Sequence, residues 1–192
     1  MTLPFYAARF ADAMASGCDG VYVFNIEGSV LHQVAGIDPL RTKGRETIRF
    51  AADRGSGGYR PWKYLKDGGR FNNLPKIDPG EPLRVTPGET CAFEMFVAGD
   101  SLAGASNATA KVLTNLKAGE TVTFTCNGHP FKAKQPRAGV FVYTLPVDAL
   151  KPGMNAFSVT FPQSAEKDTT FNDFVLRIMP QGKPGKGKET DK

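Results

Sequence analysis

From Leu83 onward, short apolar runs recur along the chain with turn residues between them, the rhythm of consecutive strands. The runs are Leu83–Val85, Cys91–Val97, Thr109–Leu116, Thr121–Cys126, Val140–Leu145, Ala156–Phe161 and Phe171–Met179. Two of them alternate cleanly, Val122/Phe124/Cys126 and Phe174/Leu176/Ile178, which places one set of side chains on one sheet face. Between the runs lie Pro87-Gly88, Lys117-Ala118-Gly119, Asn127-Gly128 and Lys151-Pro152-Gly153. Asn127-Gly128 is the strongest hairpin signal, because both residues tolerate positive φ. The pattern predicts an antiparallel β-sandwich of jelly-roll type over residues 81–179. Beyond it, residues 180–192 are basic with almost nothing apolar to bury, and are expected to form a disordered tail.

The first 52 residues have a different period. Tyr6, Phe10 and Met14 repeat every four residues with Ala7, Ala11 and Ala15 beside them, which predicts a helix. Thr2 is placed to cap it, Pro4 fits its first turn, and Gly17 supplies the stop. Val21-Tyr22-Val23-Phe24-Asn25 is apolar on both faces, the habit of a strand in a covered parallel sheet. Ser29 to Ala35 reads as a short helix and Thr47 to Ala52 as another strand. Residues 1–52 are therefore a short α/β segment. Residues 53–80 are a Gly-, Pro- and Arg-rich connector in which Tyr59, Trp62, Tyr64 and Phe71 act as anchors.

The chain of 192 residues suits one domain, or one domain plus a partial one, and its apolar fraction of 41% is that of a folded protein. The net charge of +5 is partly confined to the tail, and no basic helix, zinc-finger spacing or aromatic–basic RNA motif accompanies it, so no nucleic-acid partner is expected. No apolar run reaches membrane-spanning length and the N-terminus lacks the pattern of a secretory signal, so no membrane partner is expected; the sequence leaves the compartment open. Cys18, Cys91 and Cys126 are too few and too widely spaced for a disulfide framework. They read as small buried thiols, with a bridge between Cys91 and Cys126 the alternative.

Candidate chemistry is sparse. The two histidines, His32 and His129, lie far apart and no nucleophile elbow accompanies them. His32 and Asp38 lack a third metal ligand, so no metal or other cofactor is expected. Arg54-Gly55-Ser56-Gly57-Gly58 is glycine-rich without the residues that complete a phosphate loop. Glu27 sits just past the end of the first strand, where barrel strands present residues to substrate. Glycoside hydrolysis needs a second carboxyl about 5–10 Å away, and the sequence offers no evident one.

Two stretches resemble known families. Phe10 to Asn25, with its Gly17-Cys18-Asp19-Gly20 turn and Phe24-Asn25 end, is similar to the last helix-to-strand step of a (β/α)8-barrel glycoside hydrolase. Ile37-Asp38-Pro39-Leu40 and Glu46 to Ala51 resemble that barrel's closing segment. Phe124-Thr125-Cys126-Asn127-Gly128, with Leu150-Lys151-Pro152-Gly153-Met154-Asn155, looks like a galactose-binding-like jelly roll. Domains similar to it often follow glycosidase barrels.

A barrel takes roughly 200 residues or more, and only 80 precede the sandwich here. The resemblance therefore implies a non-catalytic C-terminal piece of a glycoside hydrolase-like protein. Its partners would be carbohydrate and a missing barrel portion, with Tyr22, Asn25, Glu27 and Trp62 as substrate contacts and no catalytic residue. An autonomous carbohydrate-binding module is the alternative. A complete small hydrolase acting through Glu27 is a third reading.

Overall fold

The alternating runs of the second half become two antiparallel sheets packed face to face. The computed structural model describes residues 3–19, 43–50 and 82–181. The strand expected over Val21 to Asn25, the helix expected over Ser29 to Ala35, the connector over 53–80 and the tail from 182 lie outside the described residues.

The elements are α1 (Leu3–Ala15), β1 (Thr47–Phe50), β2 (Leu83–Arg84), β3 (Thr90–Val97), α2 (Gly99–Leu102), β4 (Ala105–Thr114), β5 (Thr123–Cys126), β6 (His129–Phe131), β7 (Lys134–Arg137), β8 (Val140–Leu145), a 3-10 turn (Val147–Ala149), β9 (Gly153–Thr160) and β10 (Thr170–Pro180). One sheet has the order β1-β10-β4-β8-β7, with β2 sharing the edge of β10 that β1 occupies; the other has the order β3-β9-β5-β6. Every pairing among these strands is antiparallel. The fold is thus mainly β, a sandwich preceded by a short segment that supplies a helix and a strand.

The core is aromatic. Phe124, Phe157, Phe171, Phe174, Phe141 and Tyr143 are fully buried, and Phe93 packs against them. Phe93 of the four-stranded sheet meets Phe174 of the other edge-on at 4.8 Å between ring centroids, and Phe124 meets Tyr143 at 4.5 Å. Each such pair adds about 0.5–1.5 kcal/mol to what burial itself contributes. Inward Ala108 and Ala110 on β4 leave room for the rings. Both predicted alternations, Val122/Phe124/Cys126 and Phe174/Leu176/Ile178, face this core.

The turns follow the sequence signals. Asn127 and Gly128 take φ of 50° and 83° between paired Cys126 and His129. Gly139, which turns β7 into β8, is constrained more tightly: its φ is 67° and an added Cβ would lie 2.4 Å from the Thr114 carbonyl oxygen. The Thr114 N–H donates to the Gly139 carbonyl at 2.8 Å, so this close approach ties the turn to the end of β4.

Helix α1 ends as expected. Gly17 has φ of 92°, with N–H bonds from Gly17 to Met14 and from Cys18 to Ala13 closing the last turn. Its buried face keeps the expected Phe10, Ala7 and Ala11 but not the whole Tyr6/Phe10/Met14 stripe. Phe5, Ala7, Ala8, Phe10 and Ala11 are buried, while Tyr6 and Met14 are half-buried. The reason is Asp12. Arg49 of β1 donates to both Asp12 carboxylate oxygens at 2.7 Å, to Thr47 Oγ1 at 2.9 Å and to Ser101 Oγ at 3.0 Å. The Ala98 N–H, at the end of β3, donates to Asp12 Oδ1 at 2.8 Å. These bonds turn the Phe5/Ala8/Asp12 side of the helix toward β1, and the alanines allow a close approach. The strand expected over Thr47 to Ala52 is present as β1. It extends the sandwich's own sheet, with Thr47 opposite Ile178 and Phe50 opposite Val175.

Arg49 is 5% exposed and Asp12 18%. Removing the acid would strand a buried guanidinium, so Asp12→Ala is expected to cost about 3 kcal/mol in urea denaturation. The double variant Asp12→Leu/Arg49→Met should lose less than that, since no uncompensated charge remains. Gly139→Ala is expected to destabilise by more than 1 kcal/mol or so, because both its φ and the Thr114 backbone oppose a side chain. Gly88→Ala, whose added Cβ meets only the movable Gln163 side chain, should cost less in the same measurement.

Candidate functional site

Tyr22, Asn25, Glu27 and Trp62 lie outside the described residues. The described part offers two sheet faces and several polar clusters, whose chemistry follows from the alternation that built the core.

On the four-stranded sheet, the residues between the core positions form rows across the strands. Thr90, Thr160 and Thr123 are in register, as are Ala92, Ser158, Thr125 and Pro130. The Thr90 and Thr160 hydroxyls are hydrogen-bonded at 2.8 Å, and those of Thr125 and Ser158 at 2.6 Å. Glu94, beside Ala156, is exposed on this face. Phe96 and Met154 form its apolar corner, and Met154 is 47% exposed. A hydroxyl both donates and accepts, so this surface can exchange hydrogen bonds with a neutral polar ligand. The sequence signal was present in Thr121/Thr123/Thr125, the outward half of the alternation that buries Val122, Phe124 and Cys126.

The outer face of the six-stranded sheet is built differently. Val175, Lys111, Val142 and Lys134 are aligned across it, with Leu113, Val140 and Arg137 in the next row. The three valines and Leu113 are half-buried. Arg177 on the same face is ion-paired with Glu46.

Several acidic groups of the described residues serve the fold. Asp12 holds Arg49. Glu89 accepts the N–H and hydroxyl of Thr86 within its own turn, at 2.6 and 2.8 Å, and Glu120 accepts the Lys117 N–H at 2.9 Å. Glu166 pairs with Lys117. His129 is exposed at the start of β6. Among the described residues no three His, Cys, Asp or Glu side chains gather as a metal site, and no helix is long and apolar enough to cross a membrane.

A further polar cluster lies at one end of the sandwich. Asn155, fully buried, accepts from the Lys151 N–H and from Asn127 Nδ2, both at 2.9 Å. It donates to the carbonyls of Lys151 at 2.8 Å and Gly153 at 2.9 Å. Asn127 also donates to the Ala149 carbonyl at 2.9 Å and accepts the Ala156 N–H at 3.0 Å. All four hydrogen-bonding positions of the Asn155 amide are used. The Asn-Gly hairpin and the Leu-Lys-Pro-Gly-x-Asn turn are therefore one unit.

The thiols are resolved as well. Cys91, Cys126 and Cys18 are all free. Cys91 pairs with Val159 and Cys126 with Phe157, on opposite sides of β9. Two strand spacings, about 9–10 Å, separate them, beyond the roughly 7 Å that a disulfide spans. Burial pushes each of these thiols up from its ordinary 9.0 to about 11, so both are neutral and unreactive at neutral pH.

No family model and no curated protein matches the chain. Similar solved structures include a β-porphyranase of glycoside hydrolase family 86 from the human gut bacterium Bacteroides plebeius, at 12% identity and a TM-score of 0.41, over 50% of this chain and 18% of that one. BuGH86 in complex with neoagarooctaose is similar at 16% identity and a TM-score of 0.40, over 50% of this chain and 17% of that one. A glutamate-to-glutamine variant of it, also with neoagarooctaose, is similar at 17% identity and a TM-score of 0.40, over 50% of this chain and 16% of that one. The chain spans less than a fifth of the length of each. Likeness at this level assigns neither family nor activity.

A raised thiol pKa means that the folded state keeps its proton after the unfolded chain has released it. The stability contributed by Cys91 and Cys126 is therefore complete below pH 9 and should be lost as pH rises toward 11. Denaturation midpoints measured across that window should fall, and fall less in Cys91→Ala/Cys126→Ala relative to its own value at neutral pH. At pH 8 a thiol-reactive dye should label exposed Cys18 quickly and the other two only after unfolding.

Proposed function

We propose that this chain is a non-catalytic accessory piece of a glycoside hydrolase-like protein, whose sandwich contacts carbohydrate and backs onto a barrel portion. The observation that carries the reading is the Asn127–Asn155 bond at 2.9 Å, which joins the two motifs of the galactose-binding-like resemblance into one network. The hydroxyl rows of the four-stranded sheet suit the hydroxyls of a glycan, and the half-buried valines of the other outer face suit packing. Tyr22, Asn25, Glu27 and Trp62 are the proposed carbohydrate contacts: Glu27 and Asn25 toward sugar hydroxyls, Tyr22 and Trp62 toward ring faces. Glu27 alone supplies at most one of the two carboxyl roles that glycoside cleavage requires.

Trp62 is the chain's single tryptophan, so its fluorescence reports on its own surroundings. Neoagarooctaose, held by two of the similar structures, is a convenient first probe, followed by other polysaccharides. The expected result is saturable binding with a change in Trp62 emission and no release of reducing sugar; by titration calorimetry, binding should weaken about tenfold or more in Trp62→Ala. Absence of binding to every glycan tried would refute carbohydrate contact. Turnover that vanishes in Glu27→Gln would refute the non-catalytic reading.

A further inference from the structure

Sheet edges expose backbone groups that can pair with another chain, and folded proteins defend them. Four of the five edge strands described here carry a defence. β6 is three residues long and contains Pro130. β7 contains Pro136, Lys134 and Arg137 and a register shift between the two cations. β1 is four residues long and carries the inward-pointing charge of Arg49 under α1, and β2 has two residues. β3 is eight residues long, pairs with β9 without a register shift, and has neither proline nor lysine.

The direction of its backbone groups follows from the ladder. The Glu89 carbonyl accepts the Phe161 N–H at 2.9 Å, so Glu89 points toward the β9 side. Alternation then aims the N–H and C=O of Cys91, Phe93, Met95 and Val97 at β9. Those of Thr90, Ala92, Glu94 and Phe96 aim away, toward an edge that no described strand occupies. The side chains of Thr90, Ala92 and Glu94 are exposed.

We propose that this edge is a self-association site: β3 pairs antiparallel with β3 of a second copy, joining two four-stranded sheets into one. The sequence of the strand selects the register. With the two-fold axis at Phe93, Ala92 faces Glu94 of the second copy and Thr90 faces its Phe96. All four outward residues then exchange both backbone bonds. With the axis at Glu94, glutamate opposes glutamate, and Thr90 faces Ala98, whose N–H is already taken by Asp12. With the axis at Ala92, Phe96 falls opposite the Pro87-Gly88 turn. Side-chain parity is kept throughout, so Thr90, Ala92, Glu94 and Phe96 stay on the outer face and the aromatic core stays closed. A second copy fits better than an arbitrary extended peptide because this one register satisfies every open group and separates the only like charges.

Sedimentation equilibrium of the full chain tests the proposal. A concentration-dependent dimer is expected. Ala92→Glu places carboxylates opposite each other twice per dimer and should weaken association about tenfold. Adding Glu94→Lys to it pairs opposite charges across the axis and should restore the dimer. Hydrogen exchange on the unaltered chain gives a readout that needs no variant. The amides of Thr90, Ala92, Glu94 and Phe96 should gain protection as protein concentration rises, while those of Cys91, Phe93, Met95 and Val97 are protected throughout. A monomer at every concentration, a dimer indifferent to Ala92→Glu, or protection of the four outward amides independent of concentration would each overturn it.

Discussion

The two sheets hold one another through a layer of rings, and every other feature depends on its alignment. Phe93, Phe124 and Phe157 come from one sheet, and Phe171, Phe174 and Tyr143 from the other. Side chains alternate with a period of two, so a slip of one residue in these strands would turn an aromatic ring to water and bring a neighbour such as Glu94, Thr125, Ser158 or Thr144 inward. The rings therefore fix register as well as supply burial. The same parity delivers the hydroxyl rows to one outer face and the valine–lysine rows to the other.

A sandwich made only of these rings would leave its flank open between the edge strands. Here a helix lies against β1 and bridges to the far end of β3, and the contact is polar as well as apolar. Asp12 reaches Arg49 of one sheet and the backbone at the end of β3 of the other, so one carboxylate clasps both layers. A buried ion pair of this kind adds modest net stability but strongly penalises misplacement, because either partner alone would be desolvated without compensation. That is a physical reason for the N-terminal helix to sit in one orientation.

The sequence made the long strands legible because they alternate or end in strong turns. β8 was read with its observed bounds, and β10 within a residue at each end. β6 and β7 were not legible: His129–Phe131 and Lys134–Arg137 are short, polar and contain proline, and they are strands only because β5 and β8 offer them a ladder. β4 begins earlier than the apolar run suggests, since Ala105 to Ala108 is small and polar and is carried by its pairing with β10. The helix was found and Ala7, Phe10 and Ala11 do lie on its buried face, but Phe5 and Ala8 complete that face rather than Tyr6 and Met14, because a periodicity of apolar residues cannot anticipate a half-buried aspartate whose partner lies 37 residues on. The network around Asn155 was recognised as a pair of turn motifs. That the two would bond to each other required the folded chain. The substrate contacts expected from Tyr22, Asn25, Glu27 and Trp62 rest on sequence alone.

The crowding of β10 has a temporal consequence. Its one edge is shared by residues 47–50 and 83–84, and its other edge is held by β4. A strand near the C-terminal end of the described chain is thus the partner on which the earliest segments close. Such long-range pairings are slow to form, since distant parts of the chain must be brought together before any bond rewards it. As the chain leaves the ribosome, β1 and β2 must wait with unpaired backbone until β10 emerges, whereas β4 can already pair with β8 along its other edge, so that β10 closes the six-stranded sheet last.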